Sequence, residues 1–225
     1  MTTVAVVPLN WRAEAKSRLR VALADDDREA LARWMALRVL AALGEVRQIA
    51  RIAVVSPDAG VLAAATAAGA TPLRQLDGGL NAGLELGRRW AIQSGAGSLL
   101  IVLGDLPLLT AAEVRALLAA GHAVTGCARI VLAPDRGGQG TNALWLQPPD
   151  ALPFAFGAGS LARHRSLAYA RGLEPALFRA PGTLFDVDLP ADLAELRRRA
   201  LWQPRCARCG EAMDVMREVM GGDVR

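Results

Sequence analysis

The chain has 225 residues, enough for one sizeable core and short for two independent domains. It is 52% hydrophobic, yet no run of it approaches the ~18 apolar residues that a membrane span needs, so a membrane protein is not expected. Its net charge of +4 rests on arginines spread along the chain, and aromatics make up 4% of it, so the basic arm and stacking platforms of a nucleic-acid binder are missing. A diffuse positive charge suits small anionic substrates instead. The opening MTTVAVVP carries no basic leader or signal-peptide core, and three cysteines make no disulfide framework, so a reducing cytoplasm is expected.

In chain order, residues 4–7 read as a short apolar strand stopped by Pro8, followed by a polar, basic connection over 9–23. That connection holds Lys16, and all the other members of the 26 Lys and Arg residues are arginine. A lysine is a compact point charge suited to phosphate, for which arginine is no equivalent, although a lone lysine also arises by chance. Asp25, Asp26 and Asp27 open a helix whose stripe of Leu31, Met35, Val39 and Leu43, with Trp34, is ordinary core. A strand over 48–56, an alanine-rich helix over 58–69 and a short strand over 71–76 follow. Gly78 and Gly79 then turn the chain into a helix reaching about Gln93.

The apolar run 99–103 is a buried strand that ends abruptly in Gly104-Asp105-Leu106-Pro107, which continues neither strand nor helix. Asp105 thus stands at a strand's carboxyl end, where open parallel sheets bind ligands, unless it merely caps the turn. Thr110 and Glu113 form a capping box for the next helix. Alternating strands and helices in this half predict a mainly parallel, doubly wound sheet.

Beyond it, short strands over 130–133 and 143–146 flank PDRGGQGTN, whose glycines and Thr141 could line an anion pocket or form a flexible hairpin. Gly157, Gly159 and Ser160 begin a helix whose N–H groups and dipole favour an anion, and His164 on it reads as a helix-surface or capping residue. In TLFDVDL, read as a strand, Asp186 and Asp188 point to one face. A bound cation explains two such neighbours, with a solvated strand end as the plain alternative. Oxygen ligands of this kind suit magnesium or manganese. Cys127 reads as core. Cys206 and Cys209 form half of a zinc-ribbon pattern in a tail expected to be free, although two tails across a homodimer could supply four cysteines.

Six motifs then occur in order: Ala15-Lys16-Ser17-Arg18-Leu19 after a VVP strand, Gly79-Leu80-Asn81-Ala82, GDLPLLT around Asp105, Gly140-Thr141-Asn142-Ala143-Leu144, Phe156-Gly157-x-x-Ser160-x-x-x-His164, and Asp186-Val187-Asp188-x-Pro190-x-Asp192-Leu193. Together they resemble the guanylyltransferases of coenzyme F420 biosynthesis, the 2-phospho-L-lactate and phosphoenolpyruvate guanylyltransferase family, over residues 4–200. The resemblance implies a Rossmann-like α/β fold of the nucleotide-diphospho-sugar transferase type, a mainly parallel mixed sheet flanked by helices. It also implies transfer of GMP from GTP to a phosphorylated three-carbon acid, with pyrophosphate released.

On the matching positions, the resemblance implies divalent metal (Mg²⁺ or Mn²⁺) on Asp105, Asp186 and Asp188, and acceptor binding by Thr141, Gly157 and Ser160. Lys16 and Arg18 would meet the triphosphate as catalytic residues, and Pro8, Leu9, Lys16, Leu80, Asn81 and Gly104 would form the nucleotide pocket. Two departures stand out: Asn10, with Arg12 near it, replaces a family lysine, and Leu189 replaces a threonine. The expected organisation is a nucleotidyltransferase domain over 1–200 and a tail over 201–225. The product is expected to pass to a deazaflavin-precursor transferase downstream. Phosphoenolpyruvate is the favoured acceptor; 2-phospho-L-lactate, 3-phosphoglycerate, and a molybdopterin or sugar phosphate are the alternatives. A non-catalytic nucleotide-binding module and an RNA binder are the readings outside enzymes.

Overall fold

A computed structural model of the protein describes residues 2–11, 16–199 and 201–202. The candidate Arg12 and the tail cysteines Cys206 and Cys209 lie outside the described residues. One seven-stranded sheet, in the order β3-β2-β1-β4-β6-β5-β7, organises the chain. Its strands are β1 (Thr3–Pro8), β2 (Ile49–Ser56), β3 (Thr71–Arg74), β4 (Ser98–Val102), β5 (Arg129–Pro134), β6 (Thr141–Gln147) and β7 (Ala176–Leu177). The helices are α1 (Asp25–Gly44), α2 (Ala59–Ala67), α3 (Leu80–Gln93), α4 (Ala111–Ala123), α5 (Ser160–Tyr169), α6 (Pro181–Leu184) and α7 (Pro190–Arg198), and a 3-10 helix spans Ser17–Val21.

Of the run 99–103, residues 99–102 are buried because β4 lies mid-sheet, with β1 parallel on one side and β6 antiparallel on the other, and Leu103, past the strand's end, is half-buried. Successive residues face opposite layers. Val4, Val6, Leu99 and Ile101 pack beneath Leu84 of α3 and Leu161 of α5. Ala5, Val7, Leu100 and Val102 pack beneath α1, α2 and α4. The stripe Leu31, Met35, Val39, Leu43 is buried as expected.

The sheet departs from a simple parallel winding at β6, which runs antiparallel to both β4 and β5. The connection 135–140 holds no helix, and parallel neighbours need a long crossover. Cys127, expected in the core, is exposed, because it sits in the loop between α4 and β5 rather than on either element.

A third, smaller core decides where Asp186 and Asp188 go. Leu19, Leu31 and Met35 meet Phe185, Val187, Leu193 and Leu196, so that the 3-10 helix, the first half of α1, the 185–188 segment and α7 are pinned together. TLFDVDL is thus not a strand: Thr183 and Leu184 finish α6, and residues 185–188 join no ladder. Burial still alternates, with Phe185 and Val187 buried and Asp186 and Asp188 half-buried, so the two carboxylates share a side as the spacing predicts.

Glu113 anchors the entry to this segment. It completes the capping box with Thr110 and also accepts the Gly182 N–H at 2.8 Å. A Cβ on Gly182 would stand 2.5 Å from the Leu108 carbonyl oxygen and collide with Glu113. Gly182→Ala should therefore cost about 1–3 kcal/mol through overpacking, read as a lower urea midpoint at unchanged m-value.

Candidate active site

The chain leaves β1 toward β2 and later returns to place β4 on the other side of β1, which makes the β1/β4 boundary a topological switch point. At the carboxyl ends of these strands lies a cleft of about 220 Å³. Pro8, Leu9, Lys16, Leu80, Gly104 and Asp105 line it, together with Asn10, Trp11, Ala32, Met35 and Leu103. Gly104 has a steric reason: a Cβ there would run into Leu9, whose N–H is held by the Val55 carbonyl at 3.0 Å. Trp11 and Met35 were not expected here. Met35 read as core, which it also is, since helical periodicity does not distinguish a core floor from a cleft floor.

Beside the cleft the acids converge on the lysine. Lys16 Nζ donates to Asp105 Oδ2 and to Asp188 Oδ1, each at 2.6 Å. Its backbone is left-handed (φ 56°, ψ 35°), an uncommon state for a residue with a Cβ. Burial alone would lower the ammonium's pKa, but Asp105 and Asp188 overcome it and hold the pKa above its ordinary value. The Asp105 carbonyl accepts the Val187 N–H at 3.3 Å, joining the end of β4 to the segment that carries the other two acids. The Asp192 carboxylate accepts from the N–H groups of Asp188 and Leu189 at 3.2 and 2.8 Å and so fixes that segment's exit. Arg18 lies exposed on the 3-10 helix that Lys16 begins.

Asp186 completes the acid group. Burial first, and then the charges of Asp105 and Asp188, push its carboxyl pKa up, while the Asn142 amide, 3.3 Å away, opposes the rise. Asn142 also donates to the Thr183 carbonyl at 2.9 Å, so it positions both the acid and the helix before it. It stands next to Thr141 in its motif, the one signal that marked it.

Among the described residues no three His, Cys, Asp or Glu side chains form a ready-made metal centre, since the Lys16 ammonium lies between Asp105 and Asp188. The donor set nonetheless fits a hard divalent cation. It is all oxygen, Asp105 Oδ1 is buried without a hydrogen-bond partner, and added positive charge would relieve the repulsion at Asp186.

The expected acceptor residues also come together. Thr141 starts β6 against α5, where Leu161 N–H donates to the Gln139 carbonyl at 3.1 Å and Ser160 N–H to that of Gly157 at 3.0 Å. Two N–H groups of that helix start are therefore already taken. The PDRGGQG stretch is a closed hairpin turn rather than an open anion nest, because Asp135 fills it: its carboxylate accepts Gln139 N–H at 2.8 Å and its carbonyl Gly138 N–H at 3.1 Å. Asn81 clasps the Phe156 backbone, accepting at 2.9 Å and donating at 3.2 Å, so its amide anchors the loop before Gly157 rather than lining the cleft.

His164, expected at the helix surface, is wholly buried between Thr141 Oγ1 at 3.1 Å and the Ala155 N–H at 3.0 Å. Burial, helped by the charge of Arg163, lowers its pKa to about 4. The unfolded chain binds a proton near pH 6.5 that the folded chain refuses, so stability is present above that pH and is lost as pH falls toward 4. The loss should reach about 2–3 kcal/mol at pH 4.5. Urea unfolding at pH 7 and 4.5 checks it: His164→Asn should lose this part of the pH dependence.

Known proteins resemble this chain in sequence and in fold. The family model described as guanylyl transferase CofC like matches residues 3–198. A phosphoenolpyruvate guanylyltransferase of Sphaerobacter thermophilus is 50% identical over 200 residues, covering 89% of this chain and 95% of its own. A 3-phospho-D-glycerate guanylyltransferase of Phenylobacterium zucineum is 38% identical over 195 residues, covering 82% and 84%. A Desulfovibrio desulfuricans structure described as a nucleotide-diphospho-sugar transferase superposes with a TM-score of 0.72 at 16% identity, covering 98% of this chain and 96% of that one. A CMP:2-keto-3-deoxy-manno-octonic acid synthetase bound to CTP gives 0.60 at 15% identity, over 89% and 98%. These two distant likenesses carry the fold, and no described helix is long and apolar enough to cross a membrane. The matched model and the relatives together place the chain in the CofC-like guanylyl transferase family, and it is a nucleotidyltransferase.

Proposed function

We propose that this protein transfers GMP from GTP to the phosphate of phosphoenolpyruvate, releasing pyrophosphate, as a step of coenzyme F420 biosynthesis. The observation that carries the reading is the Lys16–Asp105–Asp188 cluster, with Asp186 beside it, at the mouth of the β1/β4 cleft. The names of the relatives supply the acceptor class. Pro8, Leu9, Leu80 and Gly104 would hold the nucleotide, with Asn81 acting through the 154–157 loop, and Thr141, Gly157 and Ser160 would hold the acceptor's anionic groups.

The acceptor's phosphate is already an anion at neutral pH, so no residue has to remove a proton before attack on the α-phosphorus. What remains is positioning and charge neutralisation. Lys16 brings a positive charge, fixed by two carboxylates, to the place where negative charge gathers on the leaving pyrophosphate, and Arg18 extends that field. Asp105, Asp186 and Asp188 would hold Mg²⁺ or Mn²⁺, whose contribution when bound is to neutralise the triphosphate.

In this reading residues 1–200 form the catalytic unit and 201–225 an appendage. The protein works in the cytoplasm, as a monomer or homodimer, and hands its product to a deazaflavin-precursor transferase. Pyrophosphate release from GTP and Mg²⁺ tests it, with phosphoenolpyruvate, 2-phospho-L-lactate or 3-phosphoglycerate offered singly, alone and with that transferase. Release with phosphoenolpyruvate is expected. Release with another of the three acids alone would reassign the acceptor, and silence with all three would overturn the reaction.

A further inference from the structure

The transfer step derived above uses no proton acceptor, yet a buried histidine touches one of the acceptor-site residues. The geometry around that ring settles its tautomer. A backbone N–H can only donate, so His164 Nε2, 3.0 Å from the Ala155 nitrogen, presents its lone pair. The ring is neutral at pH 7, so its proton sits on Nδ1 and points to Thr141 Oγ1 at 3.1 Å. Thr141 thus receives a hydrogen bond from within the protein, and its own hydrogen must turn to another acceptor. Phe156 stands edge-on to the imidazole at 4.9 Å between centroids, and wedges it in place.

The same ring fixes a loop. Ala155 is held by His164, and Phe156 is held by Asn81 from α3 and by Arg163 from α5 at 3.2 Å. Two consecutive residues are therefore clamped from two helices just ahead of Gly157.

We propose that His164 is a positioning residue for the acceptor: through Nδ1–H it commits the Thr141 hydroxyl to donating toward an anionic oxygen, carboxylate or phosphate. A hydroxyl committed in this way favours a group that can only accept, which is the character of an ionised acid. The inference rests on the reading of Thr141, Gly157 and Ser160 as the acceptor site.

Two substitutions separate the arms of the ring. In His164→Asn the amide nitrogen takes the place of Nδ1 and keeps a donor for Thr141. In His164→Gln the amide takes the place of Nε2, keeps an acceptor for Ala155 and loses the donor. With phosphoenolpyruvate, and with the other two acids as controls, the Gln variant should raise the acceptor KM about tenfold, the effect of one hydrogen bond, at unchanged KM for GTP. The Asn variant should recover most of that loss. Equal shifts in both variants, or none in a folded Gln variant, would overturn the inference, because a merely structural histidine would tolerate neither or both.

Should the Gln variant not fold, Thr141→Val, which keeps the histidine, should give the same rise in acceptor KM, and an unchanged KM would be equally fatal. Imidazole ¹⁵N spectra of the wild-type protein at pH 7 need no substrate. They should show the Nδ1–H tautomer, and an Nε2–H or charged ring would overturn the chain of donors. If wild-type protein turns over none of the three acids, the guanylyl-transfer reading fails while these spectra still judge the histidine.

Discussion

Asp188→Ala should abolish pyrophosphate release, by at least about 1,000-fold, and leave the fold intact. The side chain is 45% exposed, so its removal opens no cavity in the third core. The backbone around it keeps its ties, with Val187 N–H on the Asp105 carbonyl and the Asp192 carboxylate on the following N–H groups. The electrostatics change fully. Lys16 loses one of its two carboxylates, and the acid group loses a third of the charge that would gather cations at the proposed meeting place of two polyanions. Thermal unfolding should be shifted by no more than a few degrees, because the pair is partly exposed and such pairs contribute about 1 kcal/mol or less. Wild-type rates in this variant would sink the assignment of the acid cluster, and a collapsed melting temperature would mean that Asp188 serves the fold instead.

Lys16→Arg is the second large effect, and it preserves formal charge. One nitrogen meets two carboxylates, each at 2.6 Å, on a residue whose left-handed backbone leaves it little freedom to re-aim. A guanidinium spreads its charge over a planar fork and cannot place a single nitrogen at that focus. Turnover should fall on the order of 100-fold, the scale of losing one fixed charge-stabilising donor, with the loss mainly in kcat. Steady-state rates at saturating GTP measure it. Near-normal turnover would mean that any cation serves, and that a lysine among 25 arginines carries no information.

Much of this site was legible because local patterns agreed with the global result. The apolar run ahead of Gly104-Asp105 could only be a buried strand ending at an edge, and the edge proved to be the switch point. The pair Asp186 and Asp188 was legible for a reason other than the one that suggested it. No partner strand spaces them; the docking of Phe185 and Val187 into the third core imposes the same alternation. His164 was opaque. Among the arginines of SLARHRSLAY it reads as surface, and its burial is set by Thr141 and Ala155, neither on its own helix. The loop over 135–140 misled because glycine marks freedom of the backbone but not which acceptor claims the N–H groups; the carboxylate of Asp135 does. The direction of β6 was available in principle, since a connection without a helix joins antiparallel neighbours.

The third core has a consequence for the order in which the molecule becomes competent. Lys16 and Asp188 are 172 residues apart and meet only when the 185–188 segment and α7 have docked on α1. A ribosome that has delivered the first six strands has made most of the sheet and the walls of the cleft, but neither Asp186 nor Asp188. On the proposed function the nascent protein therefore assembles the walls of the cleft before it can act on a nucleotide, and competence waits on a closure across 172 residues.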